Sequence, residues 1–135
     1  MDTTHDAFLG GQLSLRQPRT GYRAGQDPVL LAAAATLTAG EKFADLGCSV
    51  GTLGLCLLRR LGGQVQGIGV ERDAALANLA RANAQENALT QFEVRTACLF
   101  SAPPEPCDWA LSNPPFFGPG SGRVSKDAQR RTGRH

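Results

Sequence analysis

The chain has 135 residues, 41% of them hydrophobic and 19% charged. That composition supports one small core-forming domain and excludes wholesale disorder. The net charge of +2 is unevenly spread: from Arg123 onward five basic residues accompany one acid, Asp127, which suits either phosphate contacts or a solvated terminus.

The first residues, Met1–Asp6, carry no basic segment leading into an apolar core, so no signal peptide is expected and the protein reads as cytoplasmic. Residues 7–23 alternate weakly in hydrophobicity and are broken by Gly10-Gly11 and Pro18, which predicts a short hairpin. Asp27 stands as a helix cap, Pro28 suits a first helical position, and Val29–Leu37 favours helix until Gly40 stops it. The uncharged stretch Pro28–Gly40 is too short and too rich in Ala and Thr to cross a bilayer.

Phe43–Leu46 predicts a strand, followed by a turn from Gly47 to Gly51. Thr52–Leu61, closed by Arg59-Arg60 and Gly62-Gly63, predicts a helix with favourable C-terminal charge. Val65–Val70 predicts a second strand ending at Glu71, and Asp73 caps an Ala-rich helix that runs to about Asn87. Phe92–Val94 and Trp109–Leu111 predict third and fourth strands, the last leading into a Pro-rich turn at Asn113. Strands alternating with helices predict the α/β class with a right-handed parallel sheet.

Cys48, Cys56, Cys98 and Cys107 include no C-x-x-C pair, and the sequence has two histidines, His5 and His135. Zinc-ligand spacing is therefore absent, and no metal is expected. All four cysteines are expected as reduced thiols, with Cys56 in the core.

The order strand, Gly turn, helix, strand, acid is that of a nucleotide site. Such a turn directs backbone N–H groups and a helix N-terminus at a ligand. Glu71 stands 24 residues beyond Gly47, where a carboxylate can accept both ribose hydroxyls. A dinucleotide fingerprint would begin at Ser49 in place of Gly, and there is no Walker lysine. Gly47-Cys48-Ser49-Val50-Gly51 also fits the G-x-S-x-G nucleophile elbow, but that reading needs a downstream histidine and finds only His135.

The second motif is Asn113-Pro114-Pro115-Phe116. It could be a plain strand-closing turn. Alternatively, two prolines stiffen the backbone so that the Asn113 amide oxygen and the Pro114 carbonyl converge on a planar NH2 group, and Phe116 offers a stacking face for a base.

Taken together, Ala44-Asp45-Leu46-Gly47-Cys48, Gly51 and Asn113-Pro114-Pro115-Phe116 resemble class I S-adenosylmethionine-dependent methyltransferases that modify amino groups. The upstream Phe8-Leu9-Gly10-Gly11, Leu15-Arg16-Gln17-Pro18 and Gly21-Tyr22-Arg23-Ala24-Gly25-Gln26-Asp27 resemble the small-domain group that includes bacterial tRNA (adenine-N6)-methyltransferases acting on a valine tRNA. The resemblance implies a Rossmann-like sheet, represented here by its first four strands behind an N-terminal hairpin. The chain would then be an N-terminal portion of that fold. It divides into a hairpin segment (1–26), a partial cofactor-binding core (27–118) and a basic tail (119–135).

By the same resemblance, Gly47 and Gly51 would line the methionine part of S-adenosylmethionine. Glu71 would hold its ribose, Asp45 would orient the turn, and Arg23 would lie near the cofactor entrance. Cys98 stands near the usual adenine contact, where the family carries Asp, and Ser49 stands where it carries Gly. Asn113, Pro114, Pro115 and Phe116 would serve the target amine. The implied partner is tRNA and the implied reaction is methylation of an adenine N6; a protein glutamine or an rRNA guanine is the alternative acceptor. An inactive remnant is the alternative of another class.

Overall fold

A computed structural model describes residues 2–20, 27–98 and 106–113. β1 (Thr3–Phe8) and β2 (Leu13–Pro18) form an antiparallel hairpin joined by a tight turn at Leu9–Gly11. α1 (Asp27–Ala34), β3 (Lys42–Leu46), α2 (Thr52–Leu61), β4 (Gln66–Glu71), α3 (Ala74–Glu86), β5 (Phe92–Thr96) and β6 (Trp109–Ser112) follow. The last four strands make one parallel sheet in the order β5-β4-β3-β6. That order places β3 in the interior with β6 beside it, so the ends of both strands open on the same edge.

The core grows around α2. Every residue from Thr52 to Leu58 is buried, because α2 is covered by the sheet, by α1 and by β2. Alternation in β2 drives Leu13 and Leu15 fully inside, each contributing roughly 1.5–3 kcal/mol by burial. On β4, Gly67 and Gly69 carry no side chain where the rings of Phe43 and Phe92 lie. A Cβ at Gly69 would sit 2.6 Å from Phe92 Cζ and 2.8 Å from Cys48 Sγ. The two rings stack with centroids 6.3 Å apart. All four cysteines are free thiols, and Cys56 is a core residue.

Three local expectations need correction. The hairpin begins at Thr3 rather than at residue 7, because polar Thr3-Thr4-His5-Asp6 forms a strand that, among the described residues, pairs with β2 alone; residues 21–23 of the expected hairpin lie outside the described residues. The first helix ends at Ala34, not at Leu37. Arg60 of α2 donates to the carbonyls of Ala32 and Ala35, which satisfies groups that another helical turn would have used. The third strand continues past Val94 to Thr96. Asp73 caps α3 as expected, accepting from the amides of Ala75 at 2.9 Å and Leu76 at 3.2 Å. Among the described residues no helix is long and apolar enough to cross a membrane. The basic tail from 119 lies outside the described residues.

Candidate functional site

Between β3 and α2 the chain reverses within five residues. Gly47 and Gly51 take φ of +71° and +94°, and Ser49 takes +51°. The first two suit glycine, whereas Ser49 holds a left-handed conformation at a cost of about 1 kcal/mol or more. Hydrogen bonds over-determine the turn. The amides of Gly47 and Cys48 both donate to the Val70 carbonyl, at 2.8 and 2.9 Å, and Gly51 N–H donates to Cys48 O at 2.8 Å.

Glu71, at the end of β4, clamps the turn from the neighbouring strand. Its Oε1 accepts from Ser49 N–H and its Oε2 from Asp73 N–H, each at 2.9 Å. Each oxygen keeps a further acceptor site for a hydroxyl. At the start of α2, Gly51 offers no capping side chain, and one early amide, that of Gly54, donates to Asp45 Oδ2 at 3.1 Å. Asp45 is the penultimate residue of β3 and only 1% exposed. Burial pushes its carboxyl up to about 7, the Gly54 bond opposes that, and the charge of Glu71 adds to it. Burial and the charges of Asp45 and Glu71 also push the Cys48 thiol well above its ordinary range, so it is a neutral thiol and a poor nucleophile.

A cavity opens beside this turn. Gly47, Cys48, Ser49 and Val50 form one wall, with Asp45, Thr52 and Leu53 at its base. Asn113, leaving the end of β6, and Gln17 and Pro28, from the N-terminal part of the chain, form the rest. Ser112 Oγ donates to Leu46 O at 3.2 Å and ties the ends of β6 and β3 together. The Thr52 hydroxyl is buried without a hydrogen-bond partner among the described residues. An open, left-handed Gly47, a helix start beside it and a carboxylate behind the turn suit a nucleoside-bearing ligand.

The structure thus brings Asp45, Gly47 and Asn113 to one cavity, while Glu71 reaches the turn through Ser49. Gly51 sits behind the turn, where a Cβ would press on Leu55 at 3.2 Å and Phe92 at 3.4 Å; its role there is to let the chain turn. Cys98 is exposed, two residues beyond β5, and does not line the cavity. Arg23, Pro114, Pro115 and Phe116 lie outside the described residues. The nucleophile-elbow reading gains nothing, since His5 stands on β1 with its Nε2 3.8 Å from Glu86 and His135 lies outside the described residues. Gln17, which sequence reasoning missed, is 2% exposed and donates from Nε2 to Asp6 at 2.8 Å. The available signal was a polar residue in the inward phase set by Leu13 and Leu15.

Comparison with known proteins adds a family. Residues 27–130 match the methyltransferase small domain. The chain is 32% identical over 134 residues to the tRNA1(Val) (adenine(37)-N6)-methyltransferase of Enterobacter sp. (strain 638), covering 95% of this chain and 55% of that protein. It is 33% identical over 138 residues to the protein of that name from Dickeya chrysanthemi (strain Ech1591), covering 95% and 51%. The chain therefore spans about half the length of these curated relatives. The solved structure of TrmN from Thermus thermophilus matches with a TM-score of 0.54 and 28% identity, over 67% of this chain and 27% of that one.

Proposed function

The chain belongs to the methyltransferase small domain family, and from that membership we propose that it binds S-adenosylmethionine beside the glycine turn and serves methylation of an adenine N6 amine in tRNA. The observation that carries this reading is the shared cavity of Gly47, Asp45 and Asn113. A cofactor turn and an amine-acceptor loop are useful to each other only when they face one space.

The residues present fit the cofactor. Gly47 leaves open space where a Cβ would stand, and the spare acceptor sites of Glu71 suit two ribose hydroxyls. When bound, S-adenosylmethionine supplies a methyl group on a positively charged sulfur, an electrophile strong enough to need no nucleophile from the protein. The work left to the chain is positioning. Asn113 would accept one N–H of the target amine through its amide oxygen, and Pro114 the other through its carbonyl. Holding both hydrogens directs the nitrogen lone pair toward the methyl donor. Phe116 would stack on the base, which has to leave its own stack to enter.

The names of the curated relatives support adenine N6 in tRNA as the acceptor, and the Asn113 loop suits any planar NH2. Incubating the full product of the gene with methyl-labelled S-adenosylmethionine and unmodified tRNA, rRNA or cell protein tests this reading. Label in N6-methyladenosine from tRNA is expected. Label confined to protein glutamine or to guanine would reassign the substrate, and no transfer to any acceptor would defeat the proposal.

A further inference from the structure

We infer that Asn83 is a positioning residue through which the N-terminal hairpin and α3 hold the cofactor turn in shape. The inference rests on the proposed cofactor site and adds to it a residue that touches neither cofactor nor substrate.

The geometry begins with a match of spacings. Residues four apart on a helix are separated by about 6 Å along its axis, and residues two apart on a strand by about 6.8 Å. Asn83 of α3 and Asn87, the residue that caps its C-terminus, can therefore face Arg16 and Ser14 of β2 as a second strand would. Asn87 Oδ1 accepts from Ser14 N–H at 3.1 Å, and its Nδ2 donates to Ser14 O at 2.8 Å. Asn83 repeats the pattern on Arg16, accepting from N–H at 2.8 Å and donating to O at 3.1 Å. Two side-chain amides thus satisfy β2 backbone groups that its hairpin partner leaves unpaired.

Asn83 makes one bond that Asn87 does not. Its Nδ2 also donates to the Val50 carbonyl in the turn, at 2.9 Å. That carbonyl shares a peptide plane with Gly51 N–H, which closes the turn on Cys48 O. Fixing one end of the plane fixes the other. Asn83 is fully buried and its bond to Val50 is buried too, so no water competes for that bond. The residue after Arg16 is Gln17, which lines the cavity. One side chain therefore sets the turn and the opposite wall together.

The test compares two truncations. Asn87→Ala removes two hairpin bonds and a bond to the Asn83 carbonyl within the same helix end, whereas Asn83→Ala removes the equivalent hairpin bonds and the Val50 bond. The readouts are hydrogen exchange at the Gly51 amide, exchange at the core amides of β4 as a gauge of global stability, and affinity for S-adenosylhomocysteine. Asn83→Ala is expected to speed Gly51 exchange at least tenfold beyond the change in the β4 amides and to weaken affinity at least tenfold. Asn87→Ala should leave both within about twofold once global stability is allowed for. Equal effects of the two variants would overturn the inference. If Asn83→Ala fails to fold, Asn83→Asp serves in its place, since it keeps an acceptor for Arg16 N–H and loses the donor shared by Arg16 O and Val50 O. If the parent chain does not bind S-adenosylhomocysteine, the cofactor reading fails, and Gly51 exchange alone still decides the role of Asn83.

Discussion

The backbone N–H of Ser49 lies 2.9 Å from Glu71 Oε1, and this bond joins the cofactor turn to the strand that carries the candidate ribose acceptor. One carboxylate therefore braces the turn and, in the proposed site, would also present acceptors to a ligand.

Glu71→Ala removes both, and should weaken S-adenosylmethionine binding by roughly 1–3 kcal/mol, the loss typical of hydrogen bonds to a charged group. Calorimetric titration measures it, with NAD as a competing ligand. Unchanged affinity in the variant, or tighter binding of NAD than of S-adenosylmethionine by the parent, would contradict the assignment.

Ser49 sits at φ +51°, a conformation that glycine adopts without the Cβ penalty. Ser49→Gly should stabilise the chain by about 1 kcal/mol, since relief of strain outweighs the extra freedom of the unfolded chain. A shift of the urea midpoint to higher concentration, at constant slope, is the expected result. A shift the other way would show that the Ser49 side chain holds the turn.

Asp45 gives stability a pH dependence of known sign. Its carboxyl rises from an ordinary 3.8 to about 7 in the fold, so the native state binds more protons than the unfolded state between those values. Stability from this group therefore falls as pH rises from about 4 to about 7, then levels. At 1.36 kcal/mol per pKa unit the total is of order 4 kcal/mol. Asp45→Asn keeps an acceptor for Gly54 N–H and removes the titration. The variant should gain on the parent steadily across that window, and a constant difference would argue that Asp45 ionises freely.

Gly69→Ala should cost about 1–3 kcal/mol, because the new methyl meets Phe92 and Cys48 in a packed core. Adding Phe92→Leu should recover part of the loss, as thermal unfolding of the single and double variants would show. Additive losses would place the conflict elsewhere.

Much of this architecture was legible in residue pattern. Thr52–Leu61 is a helix with the bounds its sequence suggests, because a glycine turn precedes it and a glycine pair follows it. Asp73 capping and the position of Glu71 at a strand end were equally local. What escaped was set by distant partners. The early end of α1 depends on Arg60 of α2, 25 residues beyond Ala35 in the chain. Gly67 and Gly69 stand within a strand because Phe43 and Phe92 occupy the space of their missing side chains, a fit that no local pattern shows. Asn83 and Gln17 carried a signal of another kind. Each is a polar residue in the buried phase of its element, Asn83 among Ala77, Ala80 and Ala84, and such residues mark bonds that only the fold reveals.

Asn113 offers the most direct test, because it borders the cavity and is the residue proposed to hold the target amine. The measurement is transfer of label from methyl-labelled S-adenosylmethionine to N6 of adenine in unmodified tRNA, by the full product of the gene and by its Asn113→Ala variant, with cofactor affinity measured in parallel. The account predicts that the variant binds cofactor within about twofold of the parent and transfers at least a hundredfold less methyl, the order of loss seen when a positioning contact to the reacting group is removed. Turnover by Asn113→Ala equal to that of the parent would contradict it, and would reduce Asn113-Pro114-Pro115-Phe116 to a structural turn.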